Sequence, residues 1–347
     1  MSSTELRSLH RLPLQTVAIM SVLLLAPSCR VRSAGPKHAN VRMAVPAYTS
    51  LVQLPLVLAQ ELGFFADEGL EVTMSDMSGG SKALESLLAG STDVVSSFHD
   101  QTLLLAAQGR DLKAFVLMLQ SPAVLLVASP RAHIRRIQDL RGSTVAVTAP
   151  GSPVHLYVEH LLIMNGLSGD DISVIGTPST AARFSALETG KVGAAILGEP
   201  GLIMLRKRHP DVTVLADLMT RAGLKQNFGT EVYPGTALIS TASWLQANPT
   251  LARGIASAVK RALRWCRDHT AHEIAERMPA AFRTEDRAGY EQSITHLVDA
   301  LSRDGIMPRE AAEAEKRMLS LRTRSASFAQ LDVSRTFTNE YVSESRR

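Results

Sequence analysis

Along this chain, short apolar runs alternate with segments whose apolar residues recur every three or four positions. From Val41 the first cycle opens with VRMAVPA (41–47), a run of strand length. LPLVLAQELG (54–63) follows, where Leu54, Leu58 and Leu62 share one helical face, Pro55 suits the first turn and Gly63 a C-terminal stop. LEVTM (70–74) predicts a second strand, and SGGSKALESLLAG (78–90) a glycine turn feeding a helix. DVVSSF (93–98) predicts a third strand, ending at His99-Asp100 with Asp100 as N-cap of the next helix. LKAFVLML (112–119) and AVLLVAS (123–129) add two more strands. Runs this apolar are those of strands covered on both faces.

The pattern then begins again. IRRIQDLRG (134–142) predicts a short helix and TVAVT (144–148) a strand. APGSPVHLYVEHLLIMNG (149–166) predicts a turn and a helix with Ser152 as N-cap and Pro153 at its first position. ISVIG (172–176), GAAILG (193–198) and VTVLAD (212–217) read as strands, with helices at 179–190 and 199–209 between them. RAGLKQNFGTEVYPG (221–235) reads as loop, and TALIS (236–240) as a strand without a local partner. The remainder reads as helical, closing in a polar helix to Arg347. Leu251, Ile255, Val259 and Leu263 form a core-facing stripe within it.

This alternation predicts an α/β fold of two lobes, with mostly parallel mixed sheets flanked by helices and a helical C-terminal region. The isolated strand at 236–240 implies that the chain returns to its first lobe. The expected division is 41–125 for the first part of lobe 1, 126–233 for lobe 2, and 234–347 for completion of lobe 1. Two crossings between lobes form a hinge, and hinged lobes close on ligands in the cleft between them.

A chain of 347 residues with 45% hydrophobic and 20% charged residues suits a globular protein large enough for two cores. The net charge of +4 is spread out, at Arg135/Arg136, 206–208 and Arg346/Arg347, without interleaved aromatics, which argues against nucleic-acid binding. At the N-terminus, Arg7, His10 and Arg11 precede an apolar run at 17–26. That run is short of the ~20 residues of a membrane span and reads as the core of an export signal, residues 1–28. LLLAPSC resembles a bacterial lipoprotein signal in which Cys29 becomes the lipidated first residue; Ala26-Pro27-Ser28 also fits ordinary cleavage. Residues 29–40 read as a tether. The second cysteine, Cys266, sits in a helical pattern beside Trp265 and reads as a buried thiol.

Ligands bind such sheets beyond the carboxyl ends of the strands. The loop before residue 54, the SGGS turn and the PGS turn each present a helix N-terminus, whose free N–H groups and dipole favour an anionic group. Gly79, Gly80 and Gly151 let ligand atoms approach the backbone. No P-loop, nucleophile elbow or metal-ligand spacing occurs, and no cofactor is expected.

LPLVLAQELGFFADEGLEV followed by GGSKALESLLAGSTDVV, and later DLRGSTVAVTAPGSPVHLYVEHLLIMNGL and ALETGKVGAAILGEP, resemble the type 2 periplasmic solute-binding proteins of ABC importers. They are similar to the branch that binds aliphatic sulfonates, taurine, nitrate and thiamine-pyrimidine precursors, and the likeness spans roughly 41–280. It implies a non-enzymatic, monomeric receptor outside the cytoplasm. That receptor hands a small solute to a membrane permease with its ATPase, anchored through Cys29. The resemblance places Tyr48, Ser78, Ser97, His99, Ser152 and Glu199 at the cleft, to which the strand-end rule adds Thr49 and the glycine turns add Gly79, Gly80 and Gly151. His99 also fits a capping role beside Asp100, and Glu199 a helix-dipole role. The alternative is an enzyme on the same fold, a lyase, a dehydratase or a pyrimidine-precursor synthase. The cysteine-rich stretch of the pyrimidine-synthesising relatives is missing.

Overall fold

Among the described residues, ten strands form two five-stranded sheets in the computed structural model, which describes residues 38–343 other than 78, 178, 283, 322 and 324. The first stretch runs β1 (Ala39–Val45), α1 (Leu54–Glu61), α2 (Phe64–Asp67), β2 (Leu70–Asp76), α3 (Gly80–Leu88), β3 (Val94–Phe98), α4 (Asp100–Ala107) and β4 (Leu112–Leu117). The second runs β5 (Val124–Ala128), β6 (Thr144–Val147), α5 (Pro153–Met164), β7 (Ser173–Gly176), α6 (Thr180–Glu188), β8 (Ala194–Gly198), α7 (Gly201–Arg208), β9 (Val214–Asp217) and α8 (Arg221–Phe228). Then come β10 (Thr236–Thr241), α9 (Ala242–Ala247), α10 (Pro249–Asp268), α11 (Ala271–Arg277), α12 (Arg287–Ala300), α13 (Arg309–Ser320) and α14 (Ala326–Ala329). The described residues form one compact unit.

The two sheets share one topology. Sheet 1 has the order β2-β1-β3-β10-β4, and sheet 2 the order β7-β6-β8-β5-β9. In each, three strands are parallel, and an antiparallel strand is inserted between the third and the edge strand. The inserted strand β10 reaches sheet 1 from β9, whereas β5 enters sheet 2 directly from β4. The chain therefore crosses between the sheets twice, at 118–123 and at 218–235. The crossings are bonded to each other: Tyr233 N–H donates to the Gln120 carbonyl at 3.0 Å and Gly235 N–H to that of Leu119 at 2.9 Å. Their approach requires glycine, because a Cβ on residue 235 would stand 2.2 Å from the Ser121 carbonyl oxygen.

Both sheets are covered on both faces, which is why their strands are so uniformly apolar. One face of sheet 1 packs on α1, α10 and α12 through residues such as Leu58, Val259 and Leu297. Its other face packs on Ala83, Leu84 and Leu87 of α3. Sheet 2 packs on Tyr157 and Leu161 of α5 on one side, and on Leu187, Leu202 and Leu205 of α6 and α7 on the other. Helix α13 packs against α4 and α5, so it ties the two halves together beside the crossings.

Three expectations need correction. The export signal, Cys29 and most of the tether lie outside the described residues. Ala39 and Asn40, expected as tether, begin β1, because the Ala39 N–H donates to the Gly69 carbonyl at 2.9 Å and the residue pairs with Leu70. Residues 221–228, expected as loop, form α8, capped by the Thr220 hydroxyl accepting from Gly223 N–H at 3.1 Å. The polar C-terminal helix is not formed over the described residues. After α14 the chain makes a short 3-10 turn and runs along the sheet-1 edge, where Thr338 N–H donates to the Ala114 carbonyl at 2.8 Å.

Candidate functional site

The carboxyl ends of the strands carry the candidate residues. Beyond β1 a tight turn puts Ala47 at a positive φ of 51° and leaves Tyr48 half-buried and Thr49 exposed. Tyr48 N–H donates to an Asp76 carboxylate oxygen at 3.1 Å, linking the β1 and β2 ends. Its ring meets Phe282 edge-on at 5.6 Å. Partial burial, and secondly the Glu61 charge, raise its phenol pKa, so the hydroxyl stays protonated. Gln53, which the sequence did not single out, is buried in this turn. It accepts from Ser96 Oγ at 2.7 Å and donates to the Pro46 carbonyl at 3.2 Å, fixing the β1 loop to β3.

Gly79 and Gly80 open α3, with Gly79 at φ 149° and no side-chain cap on the helix. Ser97, at the end of β3, lies directly beneath, since a Cβ on residue 80 would be 3.9 Å from its Oγ. Ser78 lies outside the described residues.

His99 departs from its expected place at the cleft. It is fully buried, and both ring nitrogens are engaged: Nδ1 with Glu315 Oε2 at 2.5 Å, Nε2 with Thr336 Oγ1 at 3.0 Å. The Thr336 hydroxyl donates its proton to the Val333 carbonyl at 2.7 Å, so its oxygen accepts from Nε2–H. One proton is then left for the His99–Glu315 contact. Burial lowers the His99 pKa to about 4 and pushes the Glu315 carboxyl well above its ordinary range. Neighbouring Asp100 is raised to about 8 by burial and then by the Glu315 charge. His99 is therefore a clamp between β3 and the C-terminal segment, with nothing left to offer a ligand.

In the second half, Thr148 Oγ donates to Ser152 Oγ at 2.9 Å across the β6–α5 turn. Ser152 is nearly buried and its side chain makes no cap bond. Gly151 takes φ 77°, but its N–H donates to His155 Nδ1 at 2.8 Å, so this amide is not open to a ligand as expected. Arg183, also unanticipated, is buried in α6 and donates to the carbonyls of Ile196 at 2.9 Å and Thr177 at 2.5 Å. Burial lowers its pKa to about 10, which leaves it charged near neutrality.

Glu199 follows β8, and both its oxygens are committed. Oε2 accepts from Ile203 N–H at 3.3 Å, and Oε1 pairs with His296 Nδ1 at 2.8 Å. His296 lies on α12, which belongs to the sheet-1 core and packs against the turn Leu51–Gln53 after β1. A second pair, Lys207 Nζ to Asp286 Oδ2 at 2.5 Å, joins the far end of α7 to the start of α12. The β8 end and the β1 turn are thus held face to face by a two-point clasp. Among the described residues no group of three or more His, Cys, Asp or Glu side chains is placed to hold a metal.

A family model described as "NMT1/THI5 like" matches residues 51–272. The chain belongs to this NMT1/THI5-like family. Its fold is that of the periplasmic binding proteins. A solved protein of Bordetella bronchiseptica RB50 is 33% identical with a TM-score of 0.82, covering 88% of this chain and 96% of that one. The alkanesulfonate-binding protein SsuA from Xanthomonas axonopodis pv. citri, bound to MOPS, superimposes with a TM-score of 0.62 at 20% identity, over 82% of this chain and 92% of its own. YtlA of Bacillus subtilis strain 168 is 25% identical over 250 residues, 71% of this chain and 72% of that protein.

Proposed function

We propose that the chain is an extracytoplasmic solute-binding protein that captures a small polar or anionic organic molecule and delivers it to an ABC permease with its ATPase. The single observation that carries this reading is the hinge: two like sheets joined by two mutually bonded crossings, with candidate turns at the strand ends of both. The moving bodies are residues 41–125 with 234–347, and residues 126–233. Family membership and the likeness to SsuA support a solute of the sulfonate, taurine, nitrate or pyrimidine-like kind. Backbone donors at Gly79 and Gly80 would hold an anionic group, with Tyr48, Thr49, Ser97 and Ser152 giving selectivity. Glu199 acts in closure through its pairing with His296. Burial of His99 weighs against an enzyme using it as a base. The export signal at 1–28 and a lipid anchor at Cys29 complete the proposal; among the described residues no helix is long and apolar enough to cross a membrane.

The test is a thermal-shift screen of the chain from Ala39 onward against sulfonates, taurine, nitrate, aromatic carboxylates, pyrimidines and riboflavin. A ligand at a hundred times its Kd adds ~2.7 kcal/mol to stability, an easily read shift. A ligand that shifts the melt and is recovered unchanged supports the receptor. One consumed during incubation replaces it with an enzyme.

A further inference from the structure

The two ion pairs of the clasp differ in how they answer to acid. Among the described residues, the histidine–carboxylate pairs His99–Glu315 and His272–Glu291 lie within lobe 1, and His155–Glu159 and His209–Glu188 within lobe 2. His296–Glu199 is the one among them that spans both lobes. Each partner is fixed to its own side. The Glu199 side chain is 2% exposed, and its Oε2 accepts from Ile203 N–H of α7 at 3.3 Å, so it stays with lobe 2 when the lobes part. His296 rides on α12, whose Ile294 and Leu297 are buried in the sheet-1 core, so it stays with lobe 1. Its ring is 33% exposed, and Glu199 is its hydrogen-bond partner. Parting the lobes breaks this bond and returns the imidazole to water.

A carboxylate accepts from Nδ1–H of either a neutral or a protonated imidazole, but the bond to the imidazolium is charge-assisted and favoured by roughly fivefold more. The imidazole therefore holds its proton more firmly in the clasped state. By linkage, closure strengthens as pH falls through the imidazole range and weakens as pH rises through it. The neighbouring groups leave this sign unchanged. Lys207 of α7 bonds Asp286 at the start of α12 and holds that carboxyl below its usual range, so the second point of the clasp stays charged from about pH 5 to 8. Arg206 and Arg208, also on α7, are guanidinium groups that keep their charge. On the lobe-1 side, Arg287 pairs with Glu276 and Glu291. His272, Glu273 and Arg277 of α11 and Asp299 of α12 move together with His296. The turn Leu51–Gln53 packed against α12 carries no ionisable side chain.

We propose that the His296–Glu199 pair is a proton-operated latch: acid tightens the closure of the two lobes, and neutral or alkaline medium loosens it. The latch rests on the moving bodies of the receptor reading above, and its test needs no solute. The chain from residue 29, with Cys29→Ser, is measured by small-angle scattering at pH 5.5 and pH 8, with Lys207→Gln and with Lys207→Gln plus His296→Gln. Lys207→Gln removes the point of the clasp that does not titrate and leaves closure to the latch. Its radius of gyration should be smaller at pH 5.5 than at pH 8, as the ratio of closed to open molecules changes ~5-fold. Gln at 296 keeps a neutral donor for Glu199 but cannot take up a proton, so the double variant should hold one radius at both pH values. The Lys207 and His296 side chains are 49% and 33% exposed, and urea midpoints close to the parent's would show that both variants fold. A Lys207→Gln radius that ignores pH overturns the proposal, as does a pH dependence that survives in the double variant. The solute screen fails separately: a solute bound unchanged beside a pH-insensitive radius keeps the receptor and removes the latch. A solute consumed beside a pH-driven radius does the reverse.

Discussion

Replacing Asp100 by Asn makes the protein more stable in mild alkali, and the size of the gain follows from its surroundings. Asp100 is fully buried at the start of α4, its Oδ2 lacks a partner among the described residues, and Glu315 lies close enough to act on its charge. Its pKa is about 8 in the folded chain against an ordinary 3.8. A carboxyl raised in this way contributes its full stability below pH ~4, where both states are protonated, and loses it as pH climbs to the folded value. About four units at 1.36 kcal/mol each set a ceiling of ~5 kcal/mol lost by pH 8. Asn has nearly the same shape and never ionises, so it escapes that loss. Urea unfolding of parent and variant across pH 4–9 should give curves that meet near pH 4 and separate by roughly 3–5 kcal/mol at pH 8, the variant being the more stable. His99, lowered to about 4, has the opposite pH dependence: its contribution grows as pH rises from about 4 to its ordinary 6.5 and is constant above that, so it does not add to the separation read at pH 8. Parallel curves would refute the buried, proton-bearing state of Asp100.

Other consequences can be checked as directly. Gly235→Ala forces a Cβ against the Ser121 carbonyl and should cost ~3 kcal/mol or more in urea unfolding. His296→Ala strips Glu199 of its partner across the lobes. The Glu199 side chain is 2% exposed, so the clasped state should weaken by ~1–3 kcal/mol, read as an increased radius of gyration in solution scattering. An unchanged radius would show that the clasp does not hold the lobes. Tyr48→Ala should weaken the ligand found by thermal shift ~10-fold, while the ligand-free melt moves little because the ring is only half-buried.

Much of the fold is legible in the sequence because its strands are buried on both faces, and apolar runs such as VVSSF and GAAILG announce themselves between helix signals. Helix α8 is not: only Gly223 and Leu224 in it are buried, so it shows almost no apolar period. The C-terminal stretch reads as a polar helix, yet its backbone is claimed by the sheet edge at Ala114, a partner more than 200 residues away. At the site, the glycine turn at 79–80 is visible locally. What is invisible is which polar side chains are already engaged. His99 loses its availability to Glu315, 216 positions on, and Glu199 to His296, 97 positions on. Gln53 is recruited by Ser96 from 43 positions away. Residue type suggests chemistry, but the long-range partner decides whether it is free to act.

The insertion of β10 between β3 and β4 also sets the order in which the molecule can be completed. Sheet 2 draws all its strands from the continuous stretch Val124 to Asp217 and can close as soon as that stretch is available. Sheet 1 cannot. After β4 has formed, the facing edges of β3 and β4 carry unpaired amides and carbonyls until residue 236 arrives. Such open edges recruit foreign strands, and pairings this distant in sequence form slowly. The part of the chain that is made first is therefore finished last, and until then it is the part most exposed to aggregation.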